Sequence, residues 1–350
     1  MIQRNVLLRF VSFRPLLCIV LLGAVLLPGC GEDDAEGTRA SRLAGNVKID
    51  GSSTVAPVSG AAAEMFQAEH PHIHVTVGVS GTGGGFKKFL DPRADLRTDI
   101  NDASRTIRPA EMQEAERLGI EFIELPIVLD GIAVVVHPDN DFCDHLTIDE
   151  LKRIWEPGSA VNNWSQVRDG FPDLPLKLYG MGTDSGTFDY FTEVVTGREK
   201  ASRSDYTMSA HPNVLVQGVS GDRGALGYFG FAYFHENRDK LKLLGIDRGN
   251  GSVVQPSLET IRGGTYTPLS RPLFLYVNAA SAQRPEVAAF LEFYIQNAAE
   301  IAQHPRIGYV PLPENLYPVL IERIRNRTTG SPMSELETGE AVDLYELYAG

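Results

Sequence analysis

Strand-like and helix-like stretches alternate along almost the whole chain, and this alternation limits the fold more than any other feature. "NVKIDGSS" (46–53) is a strand running into a loop. "VSGAAAEMFQAEH" (58–70) is a helix with Ala62, Met65 and Phe66 on one face. "HIHVTVGVS" (72–80) alternates as a strand does, and "RPAEMQEAERLG" (108–119) is a helix opened by Pro109 and closed by Gly119. "FIELPIVLDGIAVVVHPDN" (122–140) is extended and apolar, with interruptions expected at Pro126 and Asp130-Gly131. The "HPDN" loop reads as a boundary. Beyond it, "LTIDELKRIWEPG" starts a second section with Thr147 as N-cap and Glu150 three residues later, a capping box. "GALGYFGFAYF" reads as a glycine-broken strand, "RPLFLYVN" as a strong strand and "RPEVAAFLEFYIQNA" as an amphipathic helix. The polar tail after Asn326 is expected to be poorly ordered until "AVDLYELYAG". The pattern predicts an α/β protein without a solenoid repeat.

Three strand–loop–helix junctions share one chemistry. "VTVGVSGTGGGFKKF" (75–89) places glycine at four of the five positions 81–85, between alternating Val75, Val77 and Val79 and the helically spaced Phe86, Phe89 and Leu90. Glycine is costly to order, so a run of it marks a sharp turn or a close approach. The stretch is neither GxGxxG nor a P-loop. "DGSSTVAP" (50–57) and "GMGTDSGTFDYF" (180–191) are the other two. Ser52, Ser53 and Thr54, then Thr82 and Gly83, then Ser185, Gly186 and Thr187 stand where helix N–H groups begin. Each loop by itself could be ordinary N-capping. Together, such neutral donors can hold an oxyanion, and ligands of open α/β sheets bind at that edge. "TDINDASRTIRP" (98–109) adds Asp102, Ser104 and Arg105. Arg105 can fork onto an oxyanion, and Asp102 can hold that guanidinium or accept a ligand proton.

Other motifs carry less. His70, His72 and His74 lack a completing ligand at metal spacing, so no metal or other cofactor is expected. "GTDSGT" is not the GxSxG elbow. Trp155 and Trp164 read as packing residues of the second section. Cys143 has no evident base nearby and reads as a small filler.

The N-terminus reads as a targeting segment. Arg4, Arg9 and Arg14 precede an apolar run from Leu16 to Leu27 that is short for a membrane span, and residues 1–29 are expected to be a signal peptide. "LLPGC" resembles a bacterial lipobox, which implies lipidation of Cys30, an extracytoplasmic location in the periplasm or at the cell surface, and a membrane anchor. Residues 30–46 read as a flexible tether. Roughly 280–300 residues remain, enough for two lobes. The net charge of −13 becomes −16 once the three leader arginines are removed. That excludes nucleic acid as a partner and leaves anion capture to local, preorganised donors.

The ordered set "DGSSTVAP", "SGTGGGFKKF", "DINDASRTI", "LTIDELKRIWEPGS", "YGMGTDSGTFDYF", "VQGVSGDRGALGYFGFAYF" and "RPLFLYVN…GYVPLP" resembles the phosphate-binding lipoproteins of bacterial phosphate ABC transporters, the PstS type. The resemblance runs from about Val47 to about Pro313. It implies a type II periplasmic binding protein fold: two lobes, each a central sheet flanked by helices, joined by a two-strand hinge. It implies lobe 1 from 46–136 plus 270–350 and lobe 2 from 137–269, with "RPLFLYVN" as the return crossing. It implies capture of inorganic phosphate and transfer to a membrane permease, without catalysis. Carried over by position, Ser53, Thr54, Thr82, Gly83, Ser104, Arg105, Ser185, Gly186 and Thr187 would bind phosphate. Enterobacterial members carry an arginine where this chain has Met181 and an acidic residue near the position of Arg105. Arg105 then becomes the expected cation, and the proton acceptor is Asp102 or Asp184, with Asp102 preferred. Sulfate or molybdate is the alternative ligand. A phosphate-ester hydrolase with Ser185 or Thr82 as nucleophile is the alternative of another class.

Overall fold

The computed structural model describes residues 43–304, 306–336 and 342–350. The expected leader, Cys30 and most of the tether lie outside the described residues. The strands and helices, in chain order, are β1 (Gly45–Gly51), α1 (Ala56–Glu69), β2 (Ile73–Val79), α2 (Thr82–Phe89), β3 (Ile100–Ala103), α3 (Pro109–Arg117) and β4 (Phe122–Val136). There follow β5 (His145–Thr147), α4 (Ile148–Trp155), β6 (Lys177–Met181), α5 (Gly186–Thr196), β7 (Thr207–Ser209), α6 (Pro212–Gly221), β8 (Ala225–Gly230), α7 (Phe231–Glu236), β9 (Lys242–Leu243), β10 (Gly245–Asp247), β11 (Val253–Val254) and α8 (Leu258–Arg262). The last are β12 (Ser270–Asn278), α9 (Pro285–Gln303), β13 (Val310–Pro311), α10 (Leu316–Asn326) and α11 (Leu344–Ala349).

One curled sheet runs in the order β2-β1-β3-β12-β4-β8-β6-β7. Its two wings, β2-β1-β3 and β8-β6-β7, are internally parallel. Between them lie β12 and β4, antiparallel to each other and to their neighbours. Strand β4 serves both wings. Residues 122–131 pair with β12 and residues 132–136 with β8. Every residue of β4 is buried, which accounts for its nearly unbroken apolar sequence. The expected interruptions do not occur. Pro126 faces a register shift between Leu273 and Phe274 of β12, where the missing N–H is tolerated. Asp130-Gly131 marks the point at which β4 changes partner.

Helices cover both faces. Ala62 and Phe66 of α1 are buried, and Phe66 meets Phe290 edge-on at 5.3 Å, so α1 packs on α9. In the other wing Trp155 is enclosed by Phe191, Tyr206 and Tyr228, and the Trp164 indole donates to the Gly224 carbonyl. The Thr147–Glu150 capping box forms in both directions. Cys143 is buried and free, and burial pushes its thiol up to about 12, so it is inert filler.

"FAYF" is not strand: β8 ends at Gly230 and α7 begins at Phe231. Residues 330–336 of the tail are packed in place, and 337–341 lie outside the described residues. Gly330 N–H donates to the Phe122 carbonyl, and the buried Glu124 carboxylate accepts from Tyr276, Tyr348, Ser331 and the Met333 amide. A buried carboxylate must find donors, and the polar tail supplies several of them.

Candidate functional site: an anion cleft between the two wings

Three helices begin around one cavity of about 480 Å³. Ser52, Ser53 and Thr54 line it from the loop after β1, Ser80 to Gly84 from the start of α2, and Ser104 and Arg105 from the loop after β3. Asp189, Tyr190 and Glu193 of α5 face them, and Arg108, Lys200 and Arg271 add three cations to the lining. The structure therefore brings Ser53, Thr54, Thr82, Gly83, Ser104 and Arg105 together, as their sequence positions suggested.

The glycine run is not a loop. Helix α2 already starts at Thr82, with Gly81 as N-cap at φ 76°, a left-handed conformation that glycine adopts readily. No side chain caps the helix, which leaves its first-turn donors and positive dipole end toward the cavity. The other glycines have separate reasons. A Cβ at Gly85 would overlap the Asn101 side chain and lie 2.7 Å from the Gly51 Cα, so Gly85 lets α2 sit against β1 and β3. A Cβ at Gly84 would meet Ser80 at 2.8 Å, whereas one at Gly83 would point toward Arg105 at 3.7 Å. Thr82 ties the helix to the next loop: its hydroxyl lies 3.1 Å from Ser104 Oγ and accepts from the Ser104 amide.

Arg105 is held, but not by Asp102. Glu111 grips its guanidinium in a bidentate pair at 2.8 Å and 2.8 Å, and the Thr106 carbonyl takes a further bond at 3.0 Å. The head group lies 5.6 Å from the Phe86 ring centre. Asp102 points away from the cavity, which it does not line. Side chains alternate along β3. Asn101 faces Gly85, and Ala103 joins Phe86 and Phe89 in the apolar cluster beneath α2. Asp102 takes the opposite face, where Oδ1 accepts from Ser59 at 2.9 Å and Tyr294 lies just beyond. Burial pushes its carboxyl up to about 8, opposed by the Ser59 bond and assisted by Asp50. Asp184, the other sequence candidate, is exposed.

Ser185, Gly186 and Thr187 do not line the cavity. Ser185 Oγ accepts from the Thr187 amide at 3.2 Å and so caps α5. Gly186 is pressed on Thr54, whose Cα would lie 2.6 Å from a Cβ there. One turn further, Asp189 is 8 % exposed. Its Oδ2 accepts from Ser53 at 3.3 Å across the cleft and lies 3.8 Å from Lys200 Nζ. Its Oδ1 is buried without a hydrogen-bond partner among the described residues. Burial raises its carboxyl above the usual range, against the pull of Lys200. Sequence reading missed Asp189, although it stands four residues after Ser185 and so on the same helix face. It also missed Arg271, at the start of the return strand.

Two parallel wings, two antiparallel crossing strands and a donor-lined cleft between them define a two-lobed solute-binding protein. The PBP superfamily domain matches residues 36–298. SphX of Synechococcus elongatus is 45% identical over 287 residues, covering 81% of this chain and 83% of that protein. The phosphate-binding protein PstS of Staphylococcus haemolyticus is 37% identical over 304 residues, covering 85% and 92%. The chain belongs to the PBP superfamily, in the family that holds the PstS and SphX proteins. A crystal structure of a possible phosphate-binding protein from Planctomyces limnophilus superposes with a TM-score of 0.77 at 45% identity, covering 81% of this chain and 99% of that one. An ABC-type phosphate transport receptor from Vibrio cholerae shares the fold at a TM-score of 0.57 and 22% identity, covering 76% and 100%.

Proposed function

We propose that this protein captures inorganic phosphate in the cleft and delivers it to the membrane permease of an ABC importer. The observation that carries the reading is the cavity itself: neutral hydroxyl and amide donors around one buried carboxylate that has an unused oxygen. Ser53, Thr54, Thr82, Gly83, Ser104 and Arg105 would bind the anion from one wall. The start of α5, Ser185 to Thr187, would close on it from the other. The relatives named for phosphate binding support the same ligand.

Within this reading the proton acceptor is Asp189 rather than Asp102 or Asp184. Phosphate near neutral pH carries a proton that it can donate to Asp189 Oδ1. Sulfate has none, and would set its charge against the carboxylate. An unpaired buried group costs about 1–3 kcal/mol, more when charged, so the carboxylate selects the protonated anion. No catalysis is part of the proposal: Ser185 Oγ is engaged as a helix cap. We place the lobe boundary inside β4, near Gly131, and the return crossing in β12. Closure of the lobes would present one face to the permease. The signal peptide and a lipid on Cys30 would hold the protein outside the cytoplasm, on the membrane. Among the described residues no helix is long and apolar enough to cross it.

Calorimetric titration of protein unfolded and refolded to strip bound anion tests the reading. Micromolar or tighter binding of phosphate is expected, with far weaker binding of sulfate, molybdate and a phosphate monoester. Asp189→Asn should narrow the phosphate–sulfate gap at least tenfold. Binding of sulfate as tight as phosphate by the parent would replace phosphate with a general oxyanion, and heat from no anion would end the transport reading.

A further inference from the structure

Arg271, the second residue of the return strand β12, stands directly opposite Asp130 of β4 in the register. This is the place where β4 passes from one wing to the other. The Arg271 side chain is only 12% exposed and lines the anion cavity. Its guanidinium carbon lies over the Tyr190 ring, 3.7 Å from the ring centre. Two acids flank it, Asp130 Oδ2 at 3.6 Å and Glu193 Oε2 at 3.8 Å, and neither is within hydrogen-bond distance. Nε and Nη2 are buried with no hydrogen-bond partner among the described residues, and the same is true of both Asp130 oxygens.

Such an arrangement is costly in isolation. A buried guanidinium with unmade bonds forfeits its hydration without replacement. Arg105 differs, because Glu111 and Thr106 already take three of its bonds. Arg271 keeps donors in reserve over the Tyr190 ring, in a cavity that Arg105, Arg108 and Lys200 also line, and of these four only Arg271 is nearly buried with bonds unmade. A tetrahedral anion offers the oxygens that would complete its fork.

The position has a mechanical consequence. Tyr190 and Glu193 belong to α5, and the Tyr190 hydroxyl donates to the Pro268 carbonyl at 2.5 Å, just ahead of β12. Arg271 therefore joins the crossing strands to the helix that forms the second wall. Resting on the phosphate reading, we infer that Arg271 is a further ligand-binding residue, a hinge arginine that reaches the bound anion while Asp130 behind it moderates its charge. Arg105 and Arg271 then approach the anion from different elements. Occupation of the cleft then ties β12 and α5, already in contact through Tyr190, to the wall that carries Arg105.

The test is calorimetric titration of the full chain with inorganic phosphate and, separately, sulfate. Arg271→Gln is expected to lose about 100-fold in phosphate affinity and a similar factor for sulfate, because a cation serves both anions. This separates it from Asp189→Asn, which changes their ratio. The thermal midpoint without phosphate should move by only a few degrees, while the rise that phosphate produces should largely vanish. Asp130→Asn should tighten phosphate several-fold. In Arg271→Lys, saturated with phosphate, the phosphorus-31 resonance of the bound anion should shift from its position in the parent. Phosphate affinity in Arg271→Gln within threefold of the parent would overturn the inference and leave the transport function standing. An unchanged phosphorus-31 resonance in Arg271→Lys would also overturn it, making Arg271 a structural hinge residue. A parent that binds no phosphate would overturn both readings.

Discussion

Helix α2 starts with Gly81 as N-cap, no capping side chain, and glycine at 83, 84 and 85. Helix α5 starts with Ser185, whose hydroxyl takes the Thr187 amide, and with Gly186 resting on Thr54. Both are hydroxyl- and glycine-rich junctions after a parallel strand, yet they do different work. The α2 junction is rigid and recessed, with Gly85 locked against β1 and β3, and its uncapped first turn faces the cavity. The α5 junction satisfies part of its own first turn and presses across the cleft, so its strongest addition to the cavity is Asp189, one turn further. A junction's donors count as a ligand site only after local caps have taken their share.

The largest effect is expected at the glycines of α2. Gly85→Val should cost about 3 kcal/mol or more, because the new side chain meets Asn101 and the Gly51 backbone, neither of which can move freely. Chemical denaturation reads this directly. A loss below about 1 kcal/mol would show that α2 is not locked.

The two buried aspartates extend the contrast. Asp102 has a carboxyl raised to about 8 by burial, against an unfolded value near 4. A raised acid stabilises the fold while it is protonated in the native state. Its contribution is full below about pH 4 and is lost as pH rises toward 8 and beyond. Asp102→Asn should therefore flatten the fall in stability between pH 5 and 9, with a gain of about 2 kcal/mol over the parent at the alkaline end. Phosphate affinity should stay within a few-fold. A large affinity loss would return Asp102 to the cleft.

Gly186→Ala sharpens the other side. The added methyl would overlap Thr54 and hold the walls apart. A tenfold loss of phosphate affinity, about 1.4 kcal/mol, is expected with little change in the anion-free thermal midpoint. The smallest effect belongs to Ser185→Ala. Removing the cap should cost about 1 kcal/mol of stability and only a few-fold in phosphate affinity. A hundredfold loss of affinity would mean that Ser185 binds the anion directly.

Sequence by itself determined the alternation of elements, because burial imposes period 2 on strands and 3.6 on helices. It determined the Thr147–Glu150 box and the helix starting at Pro109, since those signals act within one turn. It placed Ser53, Thr54, Thr82, Gly83, Ser104 and Arg105 at strand ends, and these line one cavity, whereas Ser185, Gly186 and Thr187, grouped with them on the same grounds, do not. Tertiary structure alone decided what depends on distant partners. Asp102 went behind the sheet because the pairing of β3 fixed which face each residue takes. Arg105 found Glu111 only once α3 had packed beside it. Ser331 and Met333 of the polar tail packed in because Glu124, about 200 residues earlier, was buried and needed donors. Asp189 and Arg271 became cavity residues only when β4 and β12 had brought α5 opposite α2. No local periodicity records which far element will face a side chain, and at a cleft between two wings that facing decides the chemistry.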